Sequence, residues 1–170
     1  MDWPALILSL QLALATLLVL MPLGLFVGRW LAWHQFKGKP WVQALFALPL
    51  VLPPTVLGFF LLYLFSNSSA AGQLYQSVFG QSLAFSFEGL LIASVIFNLP
   101  FAIQPVQRAF ESLSVDIRDA AKCSGLTAMQ QLFIIELPLV WPGILGACVL
   151  VFAHTLGEFG VVLMLSLIHI

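Results

Sequence analysis

The fold class this sequence predicts is an all-α bundle of membrane-spanning helices. Three observations carry that prediction. Only 8% of the residues are charged and 61% are hydrophobic, against about 25% charged in a soluble domain. Several runs hold no charge for longer than the roughly 20 residues a helix needs to cross a bilayer. All six Lys and Arg residues fall in two short stretches, Arg29–Lys39 and Arg108–Lys122, the loop bias of a polytopic membrane protein. A single transmembrane domain over residues 1–170 is expected.

The first span covers about residues 3–28, with Pro4 near its start and Pro22 near its end. It is too long for a signal peptide and lacks a basic leader. Residues 29–40 then form a short basic loop carrying Arg29, Lys37 and Lys39. A second span covers about 41–65. Pro49, Pro53 and Pro54 lie inside it, so its helix must break or kink, and the released carbonyls must find protein or a cavity. A harmless bend is the plainer alternative. Residues 66–87 are a Ser-, Gln- and Gly-rich loop without Lys or Arg. The third span, about 88–106, contains Asn98 and Pro100, and the fourth covers about 138–165.

Four alternating spans put both basic stretches on one side of the membrane. Basic loops stay inside, so the amino terminus is expected outside and residues 108–137 in the cytoplasm. That cytoplasmic stretch is the one long mixed-charge segment, and it reads as two short helices hinged at a glycine. Asp116 can cap the first helix. Gly125 ends it in the left-handed conformation, and Thr127 can cap the second. Pro138 opens the next span, where its missing N–H costs nothing. Leu132 and Ile135 form an apolar face opposite polar positions, so one side can dock on a partner. A loop lying on the membrane surface is the plainer reading. Nucleic acid is not an expected partner: Asp116, Asp119 and Glu136 outweigh Arg118 and Lys122, leaving no basic face for phosphate.

No catalytic chemistry is expected of this chain. No Lys is followed by Ser or Thr, so a phosphate-binding Gly-x4-Gly-Lys-Ser/Thr loop cannot be matched and ATP hydrolysis would need a separate subunit. Cys123 and Cys148 suggest neither a disulfide framework nor a metal knuckle. Glu158 is the acid deep in the second half of a span. An ionised carboxylate in lipid costs about 2.5–3.5 kcal/mol on insertion scales, so it should face the bundle, water or a partner. His154 lies four residues earlier on the same helical face, but two ligands do not make a metal site, and no cofactor is expected. Polar or kinked positions in the spans (Pro53, Pro54, Thr55, Asn98, Thr155 and Glu158) are candidates for a translocation path or gate. The bland alternative is that such hydroxyls and amides bond to their own helix backbone.

Asp119-Ala120-Ala121, three residues, Gly125, nine residues, then Ile135-x-Leu137-Pro138 is similar to the "EAA" signature of binding-protein-dependent ABC importer permeases. Asp119 stands for the usual Glu. Leu48-Pro49-Leu50-Val51-Leu52-Pro53-Pro54-Thr55-Val56-Leu57-Gly58, Phe87-Glu88-Gly89, Leu99-Pro100-Phe101-Ala102 and Ala153-His154-Thr155-Leu156-Gly157-Glu158-Phe159-Gly160 resemble the oxyanion branch of that family, the molybdate subgroup best. The resemblance covers about residues 5–165. It implies an inner-membrane permease subunit of an ATP-driven molybdate importer, with sulfate/thiosulfate or tungstate as alternative cargo. It also implies two ATP-binding subunits on the cytoplasmic segment through Asp119, Ala120, Ala121, Gly125, Ile135, Leu137 and Pro138. A second permease copy would complete the pathway, a periplasmic molybdate-binding protein would deliver the ion, and lipid would surround the whole. An acid repels an oxyanion, so Glu158 fits a gate or subunit contact rather than a ligand. A membrane scaffold that only binds a cytosolic partner is the reading from another class. After Met164 the family continues into an external loop and a fifth span. Here Leu165–Ile170 departs from that pattern, so the sequence reads as four of about five spans with a truncated end.

Overall fold

Apolar runs with no water to bond their backbones must satisfy themselves as helices, and the longest runs give the longest helices. The computed structural model describes residues 3–167, with the backbone alone at residues 4, 5, 122 and 158–167. Helix α1, Trp3–Trp33, runs five residues beyond the expected end of the first span and carries Arg29 with it. Arg29 is therefore helical rather than part of a loop, and its guanidinium reaches a buried acid, Glu136. The stretch expected as the second span holds two helices, α2 (Lys39–Val51) and α3 (Pro54–Phe65), bent by 103° at their junction. Leu52 and Pro53 are extended between them, with ψ of 135° at both. A residue preceding proline is pushed out of the helical region, and Pro54 then opens α3 where its absent N–H is not needed.

The segment expected as a plain loop, residues 66–87, contains α4, Ala70–Phe79. Ser69 Oγ caps it by accepting from the Gly72 N–H at 2.9 Å, and Tyr75 packs beside Leu61, Phe65 and Leu83. Sequence reasoning missed it because the helix is short and its polar residues read as loop. Helix α5, Phe87–Glu111, passes through Pro100 and Pro105 and takes Arg108 into its last turn.

The mixed-charge segment holds α6 (Val115–Cys123) and α7 (Ala128–Gln131) around Gly125, whose φ of +72° suits glycine. Ser114, not Asp116, caps α6: its Oγ accepts from the Ile117 N–H at 3.4 Å. Asp116 sits one position inside the first turn, where its charge still favours the dipole. Thr127 and Gln130 make a reciprocal capping box on α7. Pro138 does not open a fresh helix. α7 continues through a π turn, Leu132–Glu136, into α8, Leu137–Leu167. The Leu137 N–H bonds back to the Leu132 carbonyl, and this wider turn absorbs the donor and the space that the Pro138 ring removes.

Helices α1, α5 and α8 form the packed core. Leu20, Ala102 and Val151 meet in its middle. Ala32, Val106, Phe110, Leu132, Val140, Ile144 and Ala147 close the end that carries α6 and α7. Gly24 and Gly28, four apart on α1, let α5 approach: a Cβ on Gly28 would come within 2.9 Å of Val106 Cγ1. Among the described residues three helices are long and apolar enough to cross a membrane, Leu6–Trp33, Phe87–Glu111 and Ala128–Gly157, and the bent α2–α3 pair makes four if it is one span. Apolar side chains left outside, such as Leu18, Phe59 and Val149, suit a lipid surround.

Candidate functional site

Two polar constellations interrupt the apolar bundle. The first lies at membrane level, where α1, α5 and α8 pack. Thr16 Oγ1 on α1 donates to Ser94 Oγ on α5 at 2.9 Å. Asn98, fully buried, donates from Nδ2 to the Ser94 carbonyl at 2.8 Å. That bond turns Asn98 Oδ1 toward α8, where His154 Nδ1 stands 3.1 Å away. An amide oxygen only accepts, so the imidazole donates from Nδ1. Phe101 packs on the His154 ring, centroids 4.1 Å apart. Polar groups held inside a membrane bundle mark a functional site by default, since burying them in lipid is costly.

The second constellation closes the other end of α1. Arg29 makes a forked pair with Glu136, Nε to Oε2 at 2.7 Å and Nη2 to Oε1 at 3.0 Å. The Glu136 side chain is only 5% exposed, so this ion pair is what makes the acid tolerable there. Trp33, one turn beyond Arg29, carries the Arg29 guanidinium carbon 4.2 Å from its ring centre and that of Arg118 at 4.6 Å. A weaker contact, Lys39 Nζ to Glu111 Oε1 at 3.7 Å, ties α2 to the end of α5. Beside it opens a cavity of about 390 Å³ lined by Gln43, Gln104, Gln107, Arg108 and Glu111 with Leu31.

The residues predicted from sequence are dispersed among these features. Asn98 is at the centre of the membrane-level layer. Thr155 is buried beside it, but its hydroxyl bonds its own helix, to the Val151 carbonyl at 2.8 Å, as the bland alternative holds. Pro53, Pro54 and Thr55 are exposed at the α2–α3 break. The Glu158 side chain lies outside the described residues. On the docking segment Asp119, Ala120 and Gly125 are exposed, whereas Ala121 is buried, and Leu137 packs into the core cluster. Ile135 is half-buried in the π turn and Pro138 is exposed after it. Sequence reasoning missed Thr16, Ser94, Arg29, Trp33 and Glu136 as site residues. The available signal was a charged residue at the end of each of two spans, which pair across the bundle. Among the described residues no three His, Cys, Asp or Glu side chains gather as metal ligands.

A sequence profile described as "binding-protein-dependent transport system inner membrane component" matches residues 4–167. The chain belongs to this family. It is 43% identical over 165 residues to the molybdenum transport system permease protein ModB of Azotobacter vinelandii, covering 97% of this chain and 73% of that protein. The ModB of Haemophilus influenzae is 36% identical over 160 residues, covering 94% and 70%. The sulfate transport system permease protein CysT of Salmonella typhimurium is more distant, 31% identical over 143 residues, covering 84% and 51%. The chain is thus a multi-pass inner-membrane permease, not an enzyme. Family membership brings two kinds of partner, an ABC-type ATPase and a periplasmic binding protein.

Proposed function

We propose that this permease moves molybdate inward across the inner membrane, driven by ATP hydrolysis in a separate subunit. The single observation that carries the reading is the 43% identity to a molybdenum permease along 97% of the chain, against 31% to a sulfate permease. Two copies of the chain form the pathway, and each docks one ATPase on its α6–α7 segment through Asp119, Ala120, Ala121, Gly125, Ile135, Leu137 and Pro138. The amino terminus is outside and the docking segment is cytoplasmic, as the placement of the six basic residues supports. A periplasmic molybdate-binding protein delivers the ion to the outer mouth.

The translocation path runs beside Asn98 and Thr155 at membrane level, with the Pro53-Pro54-Thr55 break and Glu158 as gate positions. Neutral donors suit such a path, because strong fixed cations would hold an oxyanion and slow its release. The test is uptake of labelled molybdate by cells lacking their own permease and supplied with this chain, its ATPase and its binding protein. Uptake that resists excess sulfate supports the reading. Uptake abolished by sulfate assigns the chain to the sulfate branch, and docking without uptake leaves a scaffold. Glu158→Gln with unchanged assembly and uptake removes Glu158 from the gate.

A further inference from the structure

Trp33 stands where α1, α5 and α6 meet. The guanidinium carbons of Arg29 and Arg118 lie 4.2 and 4.6 Å from its ring centre. Phe110 of α5 meets the ring edge-on, centroids 5.6 Å apart at 86°. The Trp33 Nε1 is buried and makes no hydrogen bond among the described residues, where the indole is held through its π face and edge. Arg29 is at the same time forked onto Glu136, the last residue of the π turn that leads into α8. A chain of contacts thus runs from Arg118 on α6 through Trp33 and Arg29 on α1 to Glu136 at the base of α8.

The links differ in kind. A guanidinium over an indole face is weakly directional and tolerates sliding. The Arg29–Glu136 fork is planar, bidentate and directional, and it fixes the spacing of α1 from α8. Such a pairing lets α6 tilt while α1 and α8 stay in register with one another. The π turn is a place where a helix departs from its regular register, often at functional positions. The two helices held by the fork also carry Thr16 and His154, the outer members of the membrane-level layer.

We propose that Arg118, Trp33, Arg29 and Glu136 form a transmission joint, passing displacement of α6 to α1 and α8 and so to the polar layer. These are positioning residues, and the proposal rests on the reading that α6 and α7 dock an ATPase. The test uses the permease reconstituted in lipid with its ATPase and molybdate-loaded binding protein. Failure of the unaltered permease to co-purify with the ATPase would overturn the docking reading itself. Given docking, Arg118→Gln, on an exposed helix, is expected to keep co-purification and basal ATP hydrolysis. Stimulation by loaded binding protein should fall about five- to tenfold, at the low end of the usual coupling between sites. Trp33→Leu should do the same, and Trp33→Phe, which keeps a ring face, should recover most of the stimulation. Normal stimulation in Arg118→Gln with the ATPase bound overturns the joint, as does loss in Trp33→Phe equal to that in Trp33→Leu.

Discussion

Glu136 shows how one buried charge depends on a partner from another helix. Its carboxylate is buried beside Val140 and Leu132 in an apolar end of the bundle, and the fork from Arg29 offsets its desolvation. Removing Arg29 leaves an unpaired buried charge, which costs about 3–5 kcal/mol. Arg29→Ala should therefore lower the thermal midpoint in detergent sharply, while the double change Arg29→Met with Glu136→Leu should recover most of the loss. The membrane-level layer invites a paired comparison. Asn98→Leu removes bonds to both Ser94 and His154 and is expected to cost about 1–2 kcal/mol and to cut molybdate uptake. Thr155→Val loses a hydroxyl that bonds its own helix in the described structure, so it should leave stability nearly unchanged and cut uptake less than Asn98→Leu. Equal effects of the two changes, by unfolding and transport assays, would remove Asn98 from the path.

At the scale of elements, the hinge between α6 and α7 depends on backbone freedom at one position. Gly125 has φ +72°, where a side chain costs about 1–2 kcal/mol and a β-branched one is worse. Gly125→Val should redirect α6 and reduce ATPase co-purification, and Gly125→Asn, tolerant of the same conformation, should retain it. Among the described residues nothing lies within 4 Å of a Cβ at this glycine, so the expected loss comes from the backbone and not from collision with them. The α2–α3 break shows the same logic in a membrane. Adjacent prolines forbid a continuous helix, and the 103° turn exposes Thr55 at the start of α3 instead of sending it to the Asn98 layer. The α7–π–α8 run shows the reverse, a proline accommodated because the preceding turn widened to receive it.

For the whole molecule, the testable quantity is orientation. Cys123 is exposed on α6 and Cys148 is partly buried in α8, which gives a native probe on the docking segment. A membrane-impermeant maleimide should label Cys123 in inside-out vesicles and spare it in intact spheroplasts, with Cys123→Ser as the control. Labelling from outside would reverse the proposed topology and put the docking segment out of reach of any cytoplasmic ATPase. The three-helix core of α1, α5 and α8 brings residues as far apart as Arg29 and Glu136 together, so both constellations require the folded bundle.

Residue order alone was enough for the fold class, the family resemblance, the helix break at Pro53-Pro54 and the glycine-hinged segment. Those rest on local properties: charge-free length, proline chemistry, capping residues and the left-handed tolerance of glycine. Packing was needed to place Arg29 in α1, to make Ser114 rather than Asp116 the cap of α6, and to let Pro138 continue a helix instead of starting one. It also sets which polar groups act together. Asn98 and Thr155 look alike as letters in a span, yet one joins α5 to α8 through His154, beside the Thr16–Ser94 bond to α1, and the other satisfies its own backbone. Partnership between side chains 56 to 107 residues apart is set by how helices pack, and no local pattern carries that information.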